Sequence, residues 1–173
     1  EVTLQNSGNT AATGVSFNDI PGANLALVVG TVQTSRGTIV TGNTAGDTSV
    51  QVDIGTIAAD GSVTLSFQVT IADPLPEGVD TVSNQGAVTS SELPAIPTDD
   101  PDQPGGENPT TTVVTAEPQL TASKTDTLWV DADSDGVPSP GDTLLYQIVL
   151  TNEGNQAVTT SFLNDTVDAN TTL

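Results

Sequence analysis

Between Val63 and Ile71 the chain alternates residue by residue: Val63, Leu65, Phe67, Val69 and Ile71 are apolar, and Thr64, Ser66, Gln68 and Thr70 between them are polar. A period of two places all five apolar side chains on one face of an extended strand, which a helix of period 3.6 cannot do. A half-buried strand is therefore expected over 63–71. Further strand-like runs at 1–6, 11–18, 25–33, 49–55 and 79–90 are separated by "NSGN", "IPGAN", "TAGD" and "AADG", which carry the residues that turns require. Short strands at such spacing indicate an all-β sandwich. No window of helical length has a convincing helical period.

Composition narrows the chemistry. The 173 residues include 22 Asp and Glu against two Lys and Arg, for a net charge of −20. Nucleic acid is an improbable partner for such a surface. With no His and no Cys, the usual zinc ligand sets, cysteine or histidine catalysis and disulfides are unavailable. An extracellular domain without disulfides needs a substitute, such as bound metal, a large β core or assembly with neighbours. The longest apolar runs, such as "LALVV" at 25–29, fall far short of the roughly 20 residues that span a bilayer, so no membrane insertion is expected.

Comparing the chain with itself reveals a repeat. Residues 1–27 lie without gaps over 147–173, and 11 of the 27 positions are identical, among them Leu4/Leu150, Asn6/Asn152, Gly8/Gly154 and Asp19/Asp165. The offset of 146 is even, so matching strands should turn the same side chains inward. Residues 94–117, rich in proline and acidic residues, are expected to form a stiff linker. The expected organisation is then a sandwich repeat over 1–93 lacking its first strand or strands, the linker, and the front half of the next repeat over 118–173. Two explanations are open: a slice of a longer tandem polypeptide, or a repeat completed by a strand from another copy or chain.

The most specific chemical motif is "DADSDGVPSPGD" at 131–142. It matches a calcium loop of the form D-x-D-x-D-G: Asp131, Asp133 and Asp135 stand at positions 1, 3 and 5, Gly136 at the sharp turn, and the Val137 carbonyl at 7. Ser139 can hold a water at 9, and Asp142 closes the loop at 12. Asp142 replaces the usual longer glutamate, and strands flank the loop, so affinity in the extracellular range is expected, on the order of 10⁻⁴ M or somewhat tighter. The competing interpretation is an acidic solvated turn. Against it, four carboxylates repel one another in a loop that has no Lys or Arg.

A second acidic cluster, Asp99, Asp100, Asp102 and Glu107, could hold calcium at a junction or serve as a solvated spacer. Asp19, Asp53 and Asp165 follow strand-like runs and are expected to close turns.

Several motifs together resemble the prokaryotic cell-surface repeat family called domain of unknown function 11. They are the first-strand Lys124, "PGD" at 140–142, Tyr146 through Asn152 to Gly154, the pair Asn164–Asp165, "IGTIAADGSVTLSFQVTI" at 54–71 and "SNQGAVTS" at 83–90. The resemblance implies an immunoglobulin-like β-sandwich in secreted, surface-attached or fibre-forming prokaryotic proteins, with copies of itself as partners and no enzyme activity. Sandwich repeats of bacterial pili can join a first-strand lysine to a last-strand asparagine through an isopeptide bond, and Lys124 and Asn84 stand at such positions. In this chain they belong to different copies, so a bond between them would link copies or chains. The plainer role for Lys124 is a surface salt bridge.

The expected function is a structural, calcium-stabilised subunit of an extracellular filament, pilus-like fibre or stalk. An adhesin or carbohydrate-binding module is the alternative, disfavoured because sugar platforms stack on aromatic rings and only Trp129 and Tyr146 could supply large polar ones. An enzyme is not expected, since no acid pair is set apart in an apolar stretch.

Overall fold

The computed structural model describes residues 1–172, and every named element among them is a β-strand. They form two compact units: Glu1–Asp73 with Val79–Thr115, and Pro74–Gly78 with the residues from Ala116 onward.

In the first unit, β1 (Val2–Gln5), β7 (Ser62–Ser66) and β4 (Gln33–Thr34) form one antiparallel sheet in the order β1-β7-β4. A second sheet has the order β11-β10-β2-β6-β5, built from β2 (Ala12–Asp19), β5 (Thr38–Thr41), β6 (Val50–Ile57), β10 (Ala87–Thr89) and β11 (Ile96–Pro97). Leu4, Val63 and Leu65 from the first sheet share one buried cluster with Val15, Phe17, Val50, Val52, Ile54 and Ile57 from the second. Two sheets closing on one apolar core make a sandwich. Two further pairs, β3 (Leu25–Leu27) with β8 (Val69–Ile71) and β9 (Thr81–Asn84) with β12 (Thr110–Val113), complete the unit.

Alternation sets which side chains enter the core. Val50, Val52 and Ile54 are buried with exposed or half-buried neighbours between them. After Ile54 the inward positions shift register at Gly55 (φ 82°), which faces a bulge in β2 where Gly14 also takes positive φ (56°). The two glycines allow the local kink and return Ile57 to the core.

Several expectations change. The run 63–71 is two strands, because Gln68 leaves the ladder: its N–H donates to Thr31 Oγ1 (3.0 Å) and its carbonyl accepts from Val28 N–H (2.9 Å). β7 pairs with β1 and β4, whereas β8 pairs with β3. The run 25–33 stops as a strand at Leu27, and Gly30 turns at φ 88°. The largest correction is the linker. Its β11 pairs with β10 and its β12 with β9, so residues 94–115 belong to the first unit.

The second unit is a long hairpin. β13 (Leu120–Val130) pairs with β14 (Thr143–Asn152) from Leu120↔Asn152 to Val130↔Thr143, with one irregularity after Leu128. Pro74–Gly78 lies along its far end, where Leu75 N–H donates to the Asn155 carbonyl (3.0 Å) and Ala157 N–H to the Leu75 carbonyl (2.7 Å). Leu75 is 4% exposed, but no described residue from Ala116 onward is buried.

The repeat persists as geometry. In the first unit Asn6 Oδ1 accepts from Gly8 N–H and its Nδ2 donates to the Thr10 carbonyl; in the second Asn152 does the same with Gly154 and Gln156. These partners are 146 residues apart pair by pair.

Candidate metal centre

The acidic loop connects β13 to β14 and is built by its own aspartates. Asp131 accepts Gly136 N–H at Oδ2 (2.8 Å) and Ser134 N–H at Oδ1 (2.7 Å), folding the chain back as an aspartate turn does. Ser134, Gly136 and Gly141 adopt positive φ at 62°, 78° and 104°. Asp142 ties the loop's two ends: Oδ1 accepts from Ala132 N–H (2.8 Å) and Oδ2 from Ser139 N–H (2.7 Å).

As a result Asp131, Asp133 and Asp142 converge, with one oxygen of each within 4.8 Å of the other two. An ion with oxygen ligands at about 2.3–2.6 Å would bring its ligands about that close. Among the described residues no other group of three or more acidic side chains is gathered this way. Asp135 stands outside the trio, its Oδ1 instead accepting Val137 N–H (2.7 Å). Ser139 Oγ reaches Asp133 Oδ2 at 3.4 Å, which keeps it beside the cluster. The donor set is all oxygen, which suits a hard cation and not zinc or copper.

The backbone N–H of Gly136, assisted by that of Ser134, holds the Asp131 carboxyl below the usual aspartate range. A depressed folded-state pKa stabilises the loop above the unfolded value, and that stabilisation is lost as pH falls through the folded one. The amide proton shifts of Ser134 and Gly136 are therefore expected to move together, with a midpoint below the ordinary value of about 3.9. An NMR titration with a midpoint at or above that value would contradict these bonds.

The other expected sites fare differently. Asp99, Asp100, Asp102 and Glu107 do not gather as ligands. Asp99 Oδ1 accepts Asn108 N–H (2.9 Å) and Asp100 Oδ1 accepts Asp102 N–H (3.1 Å), while Glu107 turns at φ 64° and its carbonyl accepts from Gln85 Nε2 (2.8 Å). Asp100 is 7% exposed. These residues shape a turn between β11 and β12 of the first unit.

Lys124 lies over the Tyr146 ring, 4.4 Å from its centroid, and pairs with Asp165 (2.7 Å). Asn84 is engaged with Asp19, its Nδ2 donating to both carboxylate oxygens (2.8 and 3.0 Å), and its Oδ1 accepts from Gly22 N–H (3.1 Å). Asp19 is the residue missed from the sequence. It is 3% exposed, and burial pushes its carboxyl above the usual range, partly offset by Asn84. An aspartate at a strand end looks like any turn residue; its burial depends on Asn84, 65 residues away. No protein-family model matches the chain, and no curated protein or solved structure is found to be similar to it.

Proposed function

We propose that the chain is a structural, calcium-stabilised β repeat of an extracellular filament, pilus-like fibre or surface stalk of a prokaryote, with copies of itself as partners and no enzymatic role. The observation that carries the reading is the convergence of Asp131, Asp133 and Asp142 on one point of a loop that joins two long strands. An ion there offsets the repulsion of the trio and ties the end of β13 to the start of β14.

Other features support it. The loop follows the D-x-D-x-D-G order, and the chain has no disulfide to brace it outside a cell. The resemblance to surface repeats and the internal repeat both fit a chain of linked sandwiches. Asp135, turned to Val137 N–H, would need to rotate to become a ligand, and the main-chain bonds of Asp131 and Asp142 would loosen in part.

Calorimetric titration of the full chain with calcium tests the reading. Binding on the order of 10⁻⁴ M is expected, weakened at least ~10-fold by Asp131→Asn. No heat at millimolar calcium, or equal affinity in the variant, would sink it.

A further inference from the structure

Two peptide bonds in the chain join an aspartate to a glycine, Asp60–Gly61 and Asp135–Gly136. Such a bond is where a main chain most readily attacks itself, because glycine has no Cβ to keep its nitrogen away from the carboxyl carbon of the residue before it. The glycine nitrogen bonds to aspartate Cγ and closes a five-membered imide. One carboxyl oxygen leaves as water, taking the amide proton and one proton from solvent. Water then reopens the ring. Opening at Cγ restores aspartate, whereas opening at the main-chain carbonyl leaves isoaspartate, in which the chain runs through Cγ.

The two bonds have different surroundings. Asp60–Gly61 forms the tight turn between β6 and β7. Gly61 N–H donates to the Ala58 carbonyl (3.0 Å), a neutral acceptor, and the Gly61 carbonyl accepts from Asn6 N–H (2.9 Å). A Cβ on Gly61 would lie 2.9 Å from the Ala58 oxygen and 3.2 Å from Ile57 Cγ2, so the turn is pressed against its neighbours and has no room to close a ring.

At Asp135–Gly136 the parts of the reaction are assembled. Gly136 N–H donates to Asp131 Oδ2 (2.8 Å), which puts a carboxylate on the proton that must leave. That hydrogen lies in the amide plane, so the face of the nitrogen stays free to meet Cγ. Val137 N–H donates to Asp135 Oδ1 (2.7 Å), where negative charge builds as the nitrogen adds. Both residues are exposed, and a Cβ on Gly136 would meet nothing within 4 Å, which leaves space for the ring and for the water that opens it.

We infer that Asp135 is a self-modification site: the loop converts it to isoaspartate through an imide with Gly136, Asp131 accepts the amide proton, and bound calcium prevents the reaction. This shielding rests on the calcium binding proposed above. As a ligand Asp131 gives its oxygen to the ion, and Asp135 turns away from Val137 to join it, so the proton acceptor and the aligned carboxyl are lost together. The product cannot serve as the original loop does. Isoaspartate adds one main-chain atom before Gly136 and moves the carboxylate onto Cα, which breaks the spacing from Asp131 to the Val137 carbonyl and Asp142. A copy that meets calcium keeps its loop, and a copy left without it ages into a form that binds the ion poorly.

The test incubates the full chain in warm neutral buffer, with chelator or with calcium at a hundredfold excess over Kd, and locates isoaspartate by electron-transfer fragmentation of its peptides. In chelator, isoaspartate is expected at Asp135 at least ~10-fold faster than at Asp60. Asp131→Asn keeps an oxygen to accept Gly136 N–H but loses the base, and should slow the reaction at least ~10-fold. Asp131→Glu, which retains a carboxylate, should stay closer to the parent, so that loss of the base is separated from a disturbed loop. Calcium should slow the parent about 100-fold, because at that excess only about 1% of loops are empty. Equal rates at Asp135 and Asp60, or an unchanged rate in Asp131→Asn, overturn the inference. So does a rate indifferent to calcium in a chain that calorimetry shows to be loaded. The same indifference in a chain that gives no heat of binding counts against the calcium site alone, and the excess at Asp135 with its loss in Asp131→Asn then still supports the isomerisation.

Discussion

Phe17→Ala is expected to cost the first unit about 3–5 kcal/mol, the usual loss for emptying a buried aromatic site. Phe17 lies near the middle of β2, opposite Val52 of β6 on one side and Val88 of β10 on the other, and has no exposed surface. Its ring rests on Gly86, where a Cβ would come within 2.6 Å of Cε2 and 2.7 Å of Cζ. The site cannot collapse easily, because the neighbours on both sides are held by sheet hydrogen bonds. Since whole domains are stable by only about 5–15 kcal/mol, the variant should unfold at a much lower urea concentration, followed by far-UV circular dichroism. A loss under about 1 kcal/mol would mean that the two sheets do not close on this ring. Phe17→Leu, which keeps most of the volume, should cost less than about 1.5 kcal/mol if the core repacks.

How far the chain discloses itself depends on the range over which each feature is decided. Val63 and Leu65 are legible as core because alternation is local and the face they share is buried. The break at Gln68 is not legible, because the alternation runs straight through it; what ends β7 is a change of partner, through Thr31 and Val28. β11 and β12 were hidden by prolines. Pro97 is tolerated since β11 is an edge strand and can leave one N–H unpaired, and Thr110–Val113 is a run of good strand formers sitting in turn-like surroundings. β4 and β5 are too short to show a period.

The gathering of Asp131, Asp133 and Asp142 was legible, since the loop's hydrogen bonds span no more than ten residues, as between Ala132 and Asp142. The turn of Asp135 toward Val137 N–H was not, because spacing does not encode a rotamer choice. The Asp19–Asn84 contact is the opposite case. Each residue is ordinary where it stands, and the pair exists only after β2 and β9 have been brought together.

Calcium is expected to raise the melting temperature of the second unit by about 10–20 °C when its free concentration is a hundredfold above Kd. Binding at that excess contributes about 2.7 kcal/mol, and a unit of this size gains about 4–8 °C for each kcal/mol. The effect is large because the hairpin has little else: no described side chain from Ala116 onward is buried, and the Lys124–Asp165 pair is 42% exposed on each side, where water screens it. Trp129, the only tryptophan, stands two residues before Asp131 and reports this unit alone. Chelation should reverse the shift, and Asp142→Ala should abolish it by removing both a ligand and the tie to Ala132 and Ser139. Magnesium should give a smaller shift at equal concentration, since it sheds its waters reluctantly and demands a tighter octahedron than three carboxylates of one loop provide. Identical melting with calcium and with chelator would leave the loop an acidic turn.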